Sequence, residues 1–128
     1  MNVIKRFIAL VFIALAGTSS GGSAQQAARG FDGYFADKTM RVDYFHSGGT
    51  GQEIIALERV VSDGPWPGSR TRLVDDTNLG KYLFEVRDRT TNRVLFSRGF
   101  ASIYGEWETT AEAKSLNRTF HESLRFPA

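Results

Sequence analysis

The chain has no cysteine among its 128 residues, which excludes a disulfide framework and any zinc site built on thiolates. Small exported domains often lean on disulfides, so a domain of this kind without them must be held by its core. The same absence excludes a lipid-modified N-terminal cysteine. A zinc site would have to be made from His46, His121 and carboxylates alone. A long apolar run is missing too: Phe7 to Ala16 is about half of the roughly 20 residues that a helix needs to cross the hydrocarbon of a bilayer. Internal repeats and low-complexity tracts are also absent.

What stands at the start is a leader. Lys5 and Arg6 precede the apolar run, and the small polar stretch Gly17, Thr18, Ser19, Ser20, Gly21, Gly22, Ser23, Ala24 follows it, which is the signal-peptide order. Cleavage is expected after Ala24, with Gly22 and Ala24 as the small residues, or alternatively after Ala27 or Ala28. The mature chain then has 104 residues, one domain's worth: a flexible lead-in over 25–30 and a domain over 31–128. The leader removes two of the 16 basic residues, leaving 14 against 14 acidic ones. A formal charge of zero gives no support for nucleic-acid or anionic-membrane partners, and no membrane span remains after cleavage. The expected location is the periplasm or the medium.

Along the mature chain, Met40, Val42 and Tyr44 alternate with Arg41 and Asp43, which predicts a strand over 39–46, and Ser47 to Gly51 supplies a turn. Over 52–62 periodicity does not decide between strand and helix, but the flanking turn clusters favour a strand. The loop Asp63-Gly64-Pro65-Trp66-Pro67-Gly68-Ser69 cannot be helical. Arg70 to Val74 could form a short strand. Residues 81–88 and 93–103 form the clearest hairpin, with Tyr82, Phe84 and Val86 facing the core. Helix-forming composition over 108–115 predicts one or two turns, and 118–126 closes the chain as a strand with Phe120 and Leu124 in phase. Short strands between Gly, Pro and Asn turns point to an all-β antiparallel sandwich with at most one short helix.

Candidate chemistry is thin. His121-Glu122 opens like His-Glu-x-x-His, but Arg125 stands where the second imidazole belongs, and a strand would separate the ligands wrongly. Gly49-Thr50-Gly51 lacks the rest of a phosphate loop and fits a hairpin turn. Asp75, Asp76 and Asn78 miss the spacing of a calcium loop and fit a capped turn. Glu106 and Glu108, if extended, would share a face as a glycosidase pair does, but pairs two apart in a strand are common and an ion-paired or solvated face is the better reading. Trp66 lies in a rigid loop, either folded over the core or offered to a partner. Arg supplies eleven of the fourteen mature basic residues, which suits bidentate contacts at interfaces, while Arg70 with Arg72 also fits a solvated sheet face. Trp66, Arg70, Tyr104, Glu106 and Trp107 are the candidate interaction surface; no catalytic, cofactor-binding or metal residue is assigned, and no cofactor is expected.

Five segments carry a family likeness: Gly30 to Phe35, Met40 to His46, Gly64 to Arg70, Asn78 to Val86 and Ser97 to Thr110. Together they resemble the N-terminal domain of the IgA-protease-type zinc metallopeptidases, peptidase family M sixty-four, exported by Bacteroidetes and related bacteria, over Phe31 to Pro127. The resemblance implies a β-sandwich accessory domain that stands before a separate catalytic domain carrying the His-Glu-x-x-His ligands. No such motif lies in these 128 residues, so a non-catalytic module truncated before the catalytic domain is expected, with a peptidase domain as its partner. The end just after a strand suggests a sandwich short of its last strands, with an open edge. The alternative is a stand-alone envelope or secreted module binding a protein or glycan.

Overall fold

The computed structural model describes residues 5–7, 30–77 and 79–128. The expected cleavage positions, all of the lead-in except Gly30, and Asn78 lie outside the described residues. The strands, in chain order, are β1 (Lys5–Phe7), β2 (Thr39–Gly49), β3 (Gln52–Ser62), β4 (Tyr82–Arg87), β5 (Val94–Phe100) and β6 (Arg118–Pro127), with the helical turn α1 (Ile103–Trp107) between β5 and β6. One sheet has the order β3-β2-β6, antiparallel throughout. In the other, β4 and β5 form an antiparallel hairpin and β1 runs parallel to β4, Lys5 opposite Tyr82. The fold is an all-β sandwich.

Turn chemistry fixes both hairpins. Gly49 pairs with Gln52, so β2 and β3 are joined by Thr50 and Gly51 alone, and Gly51 takes a φ of +79° that a side chain would resist. Gly48 has a φ of +140°, and a Cβ there would lie 2.0 Å from the Gln52 carbonyl oxygen, so no other residue fits without moving the hairpin. Between β4 and β5, the Asp88 carboxylate accepts the backbone N–H groups of Thr90 and Thr91, and Asn92 adopts a left-handed φ of 58°. Those bonds, Thr91's N–H foremost, hold the Asp88 carboxyl below its usual range.

The sheets meet in an aromatic core. Val42, Tyr44, Leu124 and Phe126 come from one sheet and Phe84, Val86 and Phe96 from the other, with Phe31 and Phe35 closing one side. Phe96 and Phe126 are fully enclosed, and burial of each such side chain stabilises by about 1.5–3 kcal/mol. The expected inward face of β4 is confirmed: Tyr82, Phe84 and Val86 are all buried. β3 overhangs this core, for Val60 pairs with buried Val42 and Leu57 with buried Tyr44, yet both remain largely exposed.

Three sequence expectations shift. Residues 70–74 are irregular, because the Ser69 hydroxyl accepts the N–H groups of Thr71 and Arg72 and curls the chain into a turn instead of a strand. The second hairpin strand stops at Phe100, short of Ile103, because the Ser102 hydroxyl caps α1 by accepting the Gly105 N–H. Helix expected over 108–115 reduces to one 3-10 turn, Glu112–Lys114, and the α-helical turn lies earlier.

Candidate functional site

At the end of the sandwich near α1, the interior turns polar. His46, in phase with the inward residues Val42 and Tyr44 of β2, is 1% exposed and sits between two carboxylates. Its Nε2 lies 2.8 Å from Glu53 Oε1 on β3, and its Nδ1 lies 3.0 Å from Glu122 Oε2 on β6. The carboxylates are 16% and 8% exposed. Register explains the meeting: His46 pairs with Phe120 and Tyr44 with Glu122, so His46 and Glu122 occupy neighbouring rungs of one face.

Four further groups complete the cluster. Tyr82 donates its hydroxyl to Glu53 Oε1 and Tyr44 donates to Glu122 Oε2, each at 2.8 Å. The backbone N–H of Tyr104, in the first turn of α1, donates to Glu122 Oε1 at 3.0 Å. The Tyr104 ring stacks on the imidazole, centroids 4.0 Å apart, and its hydroxyl donates to the Gln52 carbonyl at 2.7 Å. Tyr82 presents its ring to the imidazole edge-on. Burial, reinforced by the neighbouring carboxylates, pushes both the Tyr44 and Tyr82 hydroxyls well above the usual phenol range, so both stay protonated donors.

A buried imidazole oriented by a carboxylate is the raw material of general base catalysis, but here both ring nitrogens are engaged by carboxylates. The nearby tyrosine hydroxyls are likewise spent on them. A cleft of about 310 Å³ reaches Glu122 and Tyr44 past Ser102, Ile103 and His121, yet Glu122 already accepts three hydrogen bonds there. The geometry suits a structural tie across four strands and α1.

The five residues singled out from sequence fall into two separate groups. Trp66 packs edge-on against Phe96 and donates its indole N–H to the Ser69 carbonyl, so the indole folds over the aromatic core. Arg70 lies over the Phe31 ring and pairs with Asp37 at 2.8 Å. Tyr104 and Trp107 are interior, 0% and 9% exposed, and pack with Phe120. Trp107 donates to Glu112. Burial on this scale withholds both rings from any docking partner in this fold. Glu106 is exposed on α1.

The remaining motifs resolve by geometry. Glu106 lies in α1 and Glu108 directly after it, so the pair does not share an extended face, and Glu108 is engaged by Lys81. His121 and Glu122 are consecutive on a strand, hence on opposite faces, which rules out a shared helical metal site. Asp75 caps a turn, accepting Thr77 through its N–H and hydroxyl and the Gly99 N–H; these bonds hold its carboxyl down at about 2. On the outer face, Asp43, Glu58 and His121 bring ligand atoms within 4.8 Å of one another. The Asp43 carboxylate is already held by Arg59 and Arg41, at 2.8 and 2.9 Å, and the Arg59 bond leads in lowering its protonation range. Two guanidiniums at the site oppose a cation, so the trio does not fit a metal.

Sequence reasoning missed the His46 cluster. The available signal was a titratable residue in phase with an apolar strand face, but Glu53 and Glu122 become its neighbours only through long-range pairing.

No curated protein matches the chain. A family model described as the N-terminus of peptidase M64 matches residues 30–128, which hold every described strand of the sandwich except β1. The chain therefore belongs to the peptidase M64 N-terminal domain family.

Proposed function

We propose that this domain is a non-catalytic accessory module of an exported zinc metallopeptidase, serving a catalytic domain that supplies the metal ligands. The observation that carries the proposal is the state of the best acid–base constellation: His46, Glu53 and Glu122 are spent on one another and on three tyrosines inside the fold. Family membership supports the association with a peptidase, and the leader pattern of residues 1–24 supports export. Purified protein incubated with zinc and unfolded peptide substrates is expected to show no chelator-sensitive cleavage. Such cleavage, lost in a Glu122→Gln chain, would overturn the non-catalytic reading. Translation of the DNA that follows codon 128 is expected to reveal a His-Glu-x-x-His domain.

A stand-alone binding module is the second reading. It is favoured by the overhang of β3, where Ile54, Leu57 and Val60 are each about half or more exposed along one edge strand. Association with a protein partner that is lost on Leu57→Asp, in a chain with no peptidase domain encoded beside it, would establish this reading over the first.

A further inference from the structure

We propose that the cavity between the loop over 71–76 and the start of β5 binds an acidic peptide segment, with a ligand carboxylate held between Arg72 and Arg93. The cavity measures about 470 Å³, within the size range of ligand pockets. Arg72 and Asp76 from the loop, Arg93 from the residue before β5, and Tyr34 line it, and Leu73 and Val94 give it an aliphatic part. Two positive charges thus stand against one negative charge. Elsewhere Arg41, Arg59, Arg70, Arg87, Arg118 and Arg125 each reach a carboxylate. Among the described residues, the guanidiniums of Arg72 and Arg93 reach none, Asp76 included.

Both cations stand on backbone that the fold has already fixed. The Arg72 N–H donates to the Ser69 hydroxyl at 2.9 Å, and the Arg72 carbonyl accepts Nη2 of Arg98 at 2.7 Å. The next carbonyl, Leu73, accepts the Ser97 N–H of β5 at 3.0 Å, which ties the loop to the strand. Across the cavity, the Arg93 carbonyl accepts the Asp88 N–H at 2.9 Å and closes the hairpin. The Arg93 guanidinium lies over the Tyr34 ring, 5.5 Å from its centroid, and donates Nη1 to the Tyr34 hydroxyl at 3.1 Å. A phenol orients the guanidinium without cancelling its charge, and most of its five N–H donors stay free for a ligand.

The lining selects the ligand class. Guanidinium forks match the planar oxygens of a carboxylate, and Asp76 disfavours a more highly charged anion more strongly than a singly charged one. The apolar part is made of aliphatic side chains, which suit an aliphatic residue beside the acidic one. A sugar ring would look for an open aromatic face, but the guanidinium of Arg93 already lies over the Tyr34 ring. An acidic peptide with aliphatic neighbours meets all of these conditions. The site uses no residue of the β3 overhang and stands whether or not a catalytic domain follows.

Fluorescence anisotropy of the full chain with a labelled peptide that alternates Glu and Val tests the site. Saturable binding is expected, weakening as salt is added, and the same peptide with Gln in place of Glu is expected to bind about tenfold more weakly. Arg72→Gln combined with Arg93→Gln should weaken the acidic peptide by about tenfold, whereas Asp76→Asn should tighten it by about two- to threefold. Arg70→Gln, at a guanidinium paired with Asp37 outside the cavity, should leave binding unchanged. Absent binding, equal binding of the Gln peptide, or a double arginine variant that binds like wild type would overturn the proposal. An acidic oligosaccharide that outcompetes the peptide through the same two arginines would overturn the peptide assignment. If the double variant does not fold, Asp76→Asn decides: tighter binding supports the site, and unchanged binding contradicts it.

Discussion

Two regions hold this sandwich together by different physics. The centre is aromatic: Phe84, Phe96 and Phe126 interlock between the sheets and carry no polar atoms that need partners. The end near α1 buries an imidazole, two carboxylates and three tyrosines, whose polar atoms pair with one another and with the Gln52 carbonyl. The aromatic centre tolerates volume-conserving change because dispersion and burial are not directional. The polar end does not, since a single lost partner strands a buried charge. The first region stabilises through burial, and the second links specific positions of β2, β3, β4 and β6 to one another.

The strongest way to break the contrast is at its apolar half. Phe96→Ala should cost about 4 kcal/mol in urea unfolding, by lost burial and a residual cavity. Phe96→Leu should recover more than half of that loss. At the polar half, His46→Leu keeps the volume roughly but removes the group between Glu53 and Glu122, and should cost about 3 kcal/mol. A leucine there that proved neutral would mean the carboxylates find other partners, and the contrast would fail.

Smaller changes sharpen it. Tyr104→Phe retains the ring stacked on His46 and removes the donor to Gln52, at about 1 kcal/mol. Asp75 lies outside both regions and reports pH alone. Its carboxyl is held at about 2, below its ordinary 3.8, so its contribution is complete above that ordinary value and is lost as pH falls from there through 2. Asp75→Asn should be about 0.5–1 kcal/mol less stable at neutral pH, with the difference closing in acid unfolding near pH 2.

The same contrast explains what could be read from sequence. Alternation placed Tyr82, Phe84 and Val86 inward because an opposite sheet covers one face of β4 completely. Over β3 alternation failed for a physical reason: only Glu53 and Ile55 at its start turn inward, and from Ala56 to Val60 the strand overhangs and both its faces see solvent. The second hairpin strand was expected to run to Ile103, but one capping hydroxyl on Ser102 outweighs that weak preference and starts α1 there. For Trp66 the prolines and glycines revealed a rigid loop but left two directions open, and packing on Phe96 selects the core. The His46 cluster was not legible, since its members come from residues 44 to 122 and meet only once four strands and α1 are in place.

The two tryptophans give the most direct test of the central claim that the polar end ties the sandwich into one unit. Trp66 packs on Phe96 in the aromatic centre, and Trp107 packs beside Tyr104 at the polar end. Urea unfolding followed separately in Trp66→Phe and Trp107→Phe chains, each with and without His46→Leu, reads the two regions independently. The expected result is that His46→Leu moves both transitions to lower urea by the same amount, with the curves still coincident. A shift confined to the Trp107 signal, with the Trp66 transition unmoved, would contradict it.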